Sequence, residues 1–309
     1  MVPRKWVAKA VVQKAISYLP QPQRVNHLFQ KYVTGGTRLT PEFTRKRLEW
    51  AGVHLDALRR HGGRAEGYHA VELGAGWFPI VPLCLYLHGA SRITLCDIDE
   101  LGRPELTAQA LDAVLDLARS GELASTLPVV RDERIGELEA ARREVMQLGH
   151  RATMERLGIE LRIGDARDLH LDEPADLVTS NTVLEHIDPE VLVGILVAFR
   201  LNSRPGTVMS HLVDLCDHYA YVDDTVDVYQ FLTFDERRWR WIDNSLQPMN
   251  RLRVHQYREL YEAAGVPITE EQRGEGAPED LAGVELAPPF DSMDPRDVAC
   301  KSVLLVTRF

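Results

Sequence analysis

The chain has 309 residues, 45% of them apolar and 27% charged, with a formal charge of −10. That size and apolar content suit one large domain, or one domain with a cap, around a substantial core. The acidic balance argues against general nucleic-acid binding, and no run approaches the roughly 18 apolar residues of a spanning helix, so no integral membrane segment is expected.

Charge is unevenly spread. Residues 1–63 carry 12 Lys/Arg against three acids, whereas the remainder carries 24 against 43. A basic arm on an acidic body either docks there or meets an anionic partner. Cys84, Cys96, Cys216 and Cys300 are far apart, with no metal-ligand spacing, and read as core thiols. No apolar h-region follows the N-terminal charges, so a cytoplasmic protein is expected.

Residues 5–19 carry Trp6, Ala10, Val11, Ile16 and Leu19 at helical spacing among lysines, and Pro20 and Pro22 end the run. Such a helix can lie on a membrane surface; docking on the domain is the preferred reading. Residues 24–34 follow as a second helix, broken by Gly35 and Gly36. Thr40 then caps a third helix, with Pro41 at its first position, running to about Arg60. Residues 1–65 are thus expected to fold as a helical lid, with Tyr32, Thr34 and Arg38 as candidate lid contacts.

The stretch from Ala70 to Glu100 is the organising unit. A short apolar run turns on Gly74-Ala75-Gly76, an apolar segment from Ile80 to Leu87 has helical length, and a second β-prone run stops at Asp97. Strand, glycine turn, helix, strand and acid form a nucleotide-binding βαβ unit. A dinucleotide fingerprint needs a third glycine where Pro79 stands, and no lysine follows for a P-loop. Glu72, just before the turn, repels phosphate and can hold a cation. The pattern Val71-Glu72-Leu73-Gly74-Ala75-Gly76 resembles the first motif of class I S-adenosylmethionine-dependent methyltransferases. That resemblance implies S-adenosyl-L-methionine as cofactor, with Asp97 on the ribose hydroxyls and Ile98 beside it.

After Asp97 the connection is longer than a crossover requires. Helical stretches over about 104–119 and 131–157 mark an insertion across 101–158, whose mixed charge reads as a solvated face or a homodimer contact. A strand at Glu160–Ile163 leads to Gly164-Asp165-Ala166. The resemblance places Asp165 on the adenine amine and Ala166 beside the ring. Ala175–Asn181 reads as the next strand, and with Val183-Leu184-Glu185-His186-Ile187 it resembles the fourth-strand signature of the same family; its tip, Asn181, then lies under the transferred methyl. The resemblance covers residues 70–215 in order.

Pro205-Gly206 turns the chain into a fifth strand, Thr207–Leu215. Ligands lie beyond the carboxyl ends of such strands, which directs attention to Asp214, Asp217, His218 and Tyr219. An aromatic run through Trp241 reads as a cap over 216–258. A helix from His255 to Ala264, a strand near 266–271, a loop over 273–300 and a closing strand at 302–309 complete the chain. The expected fold is α/β: a Rossmann-like, seven-stranded, mostly parallel sheet, with its core in 66–215 and 259–309. ELGAGWFPIVP, DHY and NRLR also resemble a bacterial methyltransferase group found among glycan and secondary-metabolite genes.

The resemblance makes the cofactor's sulfonium the source of an electrophilic methyl, leaving the protein to align a nucleophile and, for a hydroxyl, to take up a proton. Histidine suits that pH range. His218, oriented by Asp214 or Asp217, is the first candidate base and His186 the second. His211, Tyr219, Arg251 and Arg253 are candidate substrate contacts; the two arginines either clamp an anion or pair with the acidic cap. No divalent-metal constellation stands out. The expected reaction is methylation, with O-methylation preferred, of a small-molecule or sugar-containing metabolite. A peripheral membrane enzyme acting on a lipid-linked glycan and a catalytically inactive cofactor-binding protein are the alternatives.

Overall fold

The computed structural model describes residues 10, 12, 14, 15, 39–246 and 248–309. Tyr32, Thr34, Arg38, the Gly35-Gly36 break and most of the two first helices lie outside the described residues. Ala10, Val12, Lys14 and Ala15 are helical, and the Lys14 ammonium donates to the carbonyl of Asp243 at 2.6 Å.

Helix α1 (Pro41–Arg60) begins as its residues dictate. The Thr40 side chain accepts from the Phe43 N–H at 3.1 Å, Pro41 needs no donor partner, and Glu42 and Arg59 suit the helix dipole at either end. Leu48, Ala51, Leu55 and Leu58 recur at helical spacing and are buried. Strand β1 (His69–Leu73), helix α2 (Ile80–His88) and strand β2 (Arg92–Asp97) are the expected βαβ unit, and α2 is buried throughout.

The insertion comprises α3 (Pro104–Ser120), α4 (Glu122–Thr126), α5 (Asp132–Leu148) and α6 (His150–Arg156). The helix expected across 131–157 is broken at Gly149, whose φ of 85° lies in the left-handed region. Only Leu138, Ala141 and Val145 of α5 are buried; its charged residues are exposed or half-buried, and Arg134 reaches back to the carbonyls of Tyr86 and Ala90. Then come β3 (Ile159–Ile163), β4 (Ala175–Asn181), α7 (Pro189–Leu201) and β5 (Ser203–Asp214). Pro205-Gly206 is not a turn before the fifth strand. It lies in a bulge within β5, where the register against β4 shifts.

The sheet has seven strands in the order β3-β2-β1-β4-β5-β7-β6. Strand β6 (Glu270–Arg273) starts later than expected, and β7 (Ser302–Arg308) runs antiparallel between β5 and β6. The chain steps outward from β1 to β3 and then crosses back to β4. That reversal opens a crevice at the carboxyl ends of β1 and β4, where an open α/β sheet binds its ligands.

The segment after β5 holds α8 (Glu236–Ile242) and ends at α9 (Val254–Ala263). Its aromatics form their own core, joining Tyr229, Phe231, Trp239 and Met249 to Phe290 and Val298. The loop expected over 273–300 is therefore half of the cap, and it closes with α10 (Pro295–Ala299). The apolar residues Leu281, Val284, Leu286 and Met293, sparse among acids and prolines, are what pack it down.

Candidate functional site

A cavity of 540 Å³ opens at the crevice, walled by the glycine turn, Glu72, Asp97 to Asp99, Asn181 to Val183, His186 and the α1 residues Phe43, Arg47 and Trp50. Gly74 takes a φ of 87°, and a Cβ there would meet Val183 Cγ2 at 2.4 Å, so no side chain fits. Gly76, at φ 61°, faces open space and donates its N–H to Asp97 Oδ2 at 3.2 Å. Burial pushes the Asp97 carboxyl up, while the N–H groups of Asp99, Gly76 and Ile98 pull it back. Ile98 is exposed on the cavity rim and Ala75 lines it.

Glu72 is the unusual acid. It is almost wholly buried, and burial pushes its carboxyl up to about 8 against the pull of Asn181 and Arg47. Asn181 Nδ2 donates to Glu72 Oε1 at 3.3 Å, whereas Oε2 has no hydrogen-bond partner. A chain of bonds supports that pair. Ser210 Oγ lies 2.8 Å from His54 Nδ1, and His54 Nε2 lies 2.9 Å from Asn181 Oδ1. Burial lowers His54 to about 4, so the ring is neutral, donates from Nε2 and thereby turns the amide of Asn181 toward Glu72.

Above Glu72, the Arg47 guanidinium stands 4.0 Å from the Phe43 ring centre and 3.9 Å from that of Trp50. Burial lowers it to about 10, which leaves it charged at neutral pH between two aromatic faces. Phe43, Arg47 and Trp50 share a helix face by their spacing of four and three. That spacing is legible in the sequence, but His54 and Arg47 were not singled out there, because α1 reads only as an amphipathic helix. Thr182, at φ 52°, is a non-glycine residue in the left-handed region at the cavity wall.

Beside His186 lies a second group. The His186 and His218 rings meet edge to face with centres 4.9 Å apart, and His218 Nε2 is 3.3 Å from Asp214 Oδ2. Burial pushes Asp214 up, but bonds from His218, Tyr221 and the Cys216 N–H carry it below its ordinary value. His186 lines the cavity, donates from Nδ1 to the Pro248 carbonyl at 2.6 Å and is lowered by burial to about 4. Asp217 Oδ1 accepts the Tyr219 N–H at 2.8 Å, and burial raises the carboxyl to about 6.

Other expected site residues lie elsewhere. Asp165 is paired with Arg167, two residues on, and neither it nor Ala166 lines the cavity. His211 is fully buried in β5, bonded to Ser180 and stacked on Phe199, so it is a core histidine. Tyr219 is half-buried outside the cavity lining. Arg251 sits between the Trp239 and Phe290 rings and donates to the Phe231 and Phe234 carbonyls and to Glu236. Arg253 is fully buried and donates to the carbonyls of Leu215, Asp297, Val298 and Cys300. Neither arginine lines the cavity: Arg251 ties the cap to itself, and Arg253 ties it to the end of β5.

No protein family and no curated protein matches the chain. Solved structures with a partly similar course include an S-adenosylmethionine-dependent methyltransferase from Clostridium acetobutylicum, at 10% identity and a TM-score of 0.46 over 93% of this chain and 98% of that one. Another from Mesorhizobium loti has 17% identity and a TM-score of 0.45, over 82% and 96%. The 1,6-didemethyltoxoflavin-N1-methyltransferase of Burkholderia thailandensis, solved with S-adenosylhomocysteine, has 13% identity and a TM-score of 0.44, over 85% and 77%. Likeness at this level does not reach function, which is read from the cavity itself.

Proposed function

We propose that the protein binds S-adenosyl-L-methionine in the 540 Å³ cavity and transfers its methyl group to a small-molecule acceptor, with a hydroxyl as the preferred nucleophile. The observation that carries this reading is the pairing of a buried carboxyl and a guanidinium at one end of the cavity with an acid at the other. A free amino acid tail carries an ammonium and a carboxylate, and Glu72 and Arg47 are placed to receive one each. The unpartnered Glu72 Oε2 fits a cationic donor and would repel a phosphate. Asp97, at the tip of β2, accepts the Gly76 N–H on Oδ2 and the Asp99 N–H on Oδ1, and each oxygen keeps a lone pair for a ribose hydroxyl.

When bound, the cofactor supplies an electrophilic methyl on a sulfonium, so the difficult chemistry is its own. The chain's residues orient and shield. Asn181 and Thr182 line the wall at the tip of β4, Trp77 and Phe78 exclude water, and His186 faces the space left for an acceptor. His218 with Asp214 behind it is a pair able to take up a hydroxyl proton.

Calorimetric titration tests the cofactor. The protein is expected to bind S-adenosylmethionine and not NAD, and Asp97→Ala is expected to weaken that binding by about 3 kcal/mol, roughly a hundredfold, through loss of charged hydrogen bonds. Equal affinity in the variant would remove Asp97 from the site. Binding of neither nucleotide would defeat the reading.

A further inference from the structure

We propose that Glu185, His186 and His218 form a binding site for a divalent transition-metal ion at the acceptor end of the cavity. One ligand atom from each of the three lies within 4.8 Å of the others. The argument starts from Glu185. Its side chain is 98% buried, being only 2% exposed, yet neither carboxylate oxygen has a hydrogen-bond partner. An ionised carboxylate taken out of water without partners is costly, and proteins normally pair such a group or place it on a cation. No arginine or lysine reaches it among the described residues; its near neighbours are the two imidazoles, with His218 Nε2 at 4.0 Å from Oε1, and the Asp214 carboxylate, a like charge that a cation would also relieve.

The imidazoles are arranged as ligands. The Pro248 carbonyl can only accept, so its 2.6 Å contact fixes the proton of His186 on Nδ1 and leaves Nε2 with its lone pair. The Glu185 to His186 turn is itself held. Asn250 donates its side-chain N–H groups to the Leu184 and Ile187 carbonyls at 2.8 and 2.9 Å, and its main-chain N–H to the Glu185 carbonyl at 2.8 Å. His218 Nε2 now faces Asp214 Oδ2 at 3.3 Å; an ion would stand where those two atoms share a proton, with Asp214 as a second carboxylate beside it. Tyr221, donating to Asp214 Oδ2 at 2.7 Å, keeps that carboxylate in place.

Metal–ligand bonds of about 2.0–2.2 Å require the donor atoms to draw roughly an ångström closer, a side-chain adjustment. Imidazole and carboxylate ligands with one side open suit zinc, manganese, cobalt or iron rather than magnesium or calcium, which favour all-oxygen shells. The open side is the one His186 turns to the cavity. If the methyl-transfer reading holds, the ion would favour acceptors that present a hydroxyl or two neighbouring oxygens, and His218 would be a ligand instead of a free base. The ion site itself does not depend on that reading.

The test uses the full chain, stripped with chelator, dialysed and titrated with Mn²⁺ and with Co²⁺ by calorimetry and absorption. One ion per chain is expected, with imidazole nitrogen couplings in the pulsed electron paramagnetic resonance of bound Mn²⁺. Glu185→Gln and His218→Gln are each expected to weaken binding by at least about a hundredfold, beyond the usual effect of groups that only orient a ligand. Far-UV circular dichroism confirms that each variant is folded. Absence of stoichiometric binding in the unmodified protein, or binding without nitrogen couplings, overturns the site, as does equal affinity in both folded variants. A parallel titration of the same sample with S-adenosylmethionine separates the two readings, since either ligand can bind while the other does not.

Discussion

Replacing Arg253 with methionine is expected to lower the free energy of unfolding by about 3–5 kcal/mol in urea denaturation, the range in which a buried charged network is broken. The methionine fills much of the same volume but donates nothing. It leaves the carbonyls of Leu215, Asp297, Val298 and Cys300 buried without their donor. Each such acceptor costs about 1 kcal/mol or more when neither protein nor water reaches it. These carbonyls lie just past β5, within α10 and in the link from α10 to β7, so one guanidinium fastens the cap to the sheet. Arg253→Lys keeps the charge but concentrates the donors on one nitrogen, and an intermediate loss is expected. A loss below about 1 kcal/mol for the methionine variant would show that water enters and replaces the side chain.

Glu72→Gln is expected to stabilise the protein and weaken cofactor binding at once. The folded carboxyl titrates at about 8 against an ordinary 4.5. Between those values the folded state holds a proton that the unfolded state has released, so stability falls as pH rises through that window and levels off above 8. At about 1.4 kcal/mol per pH unit, the accumulated penalty reaches about 3 kcal/mol at pH 7. Glutamine has no proton to lose, so the gain over the unmodified protein should be small at pH 5 and grow toward pH 8. Thermal unfolding across that range reads it directly; a gain that does not change with pH would mean that Glu72 is ionised throughout. For binding, the sign reverses. An ammonium needs the carboxylate, so affinity for S-adenosylmethionine should rise between pH 6 and 7.5 by up to about tenfold per unit, and the slope should vanish in the variant.

Such opposed effects mark a residue kept for its ligand and not for the fold. They also show which parts of the site the sequence could reveal. The glycine turn, Glu72 and Asp97 fall within 26 residues of one another, and local spacing alone places them at one crevice. The arrangement of β4 is likewise local, and its limits at Ala175 and Asn181 were legible. The pairing of Asp165 with Arg167, two residues on, is a short-range contact that the motif reading did not weigh. Arg251 and Arg253 read equally as ligand clamps or as ties to the cap, because charge in a sequence carries no sign of depth. Glu185 and His218 are 33 residues apart, and nothing in their spacing announces that β4 and β5 end side by side. His54 and Arg47 were hidden for a similar reason: one helix face serves packing and the site together.

The placement of β7 has a bearing on how the chain is made. Strand β5 leaves the ribosome with one edge unpaired, and β6 then emerges with no neighbour to join, because both pair with β7. Until residues 302–308 slide in between them, the apolar edge of β5 is open to any other strand in the cell. A chain stalled or cleaved before Ser302 would therefore retain its entire cavity wall and still be prone to aggregate, so β7 guards the solubility of a site to which it contributes no side chain.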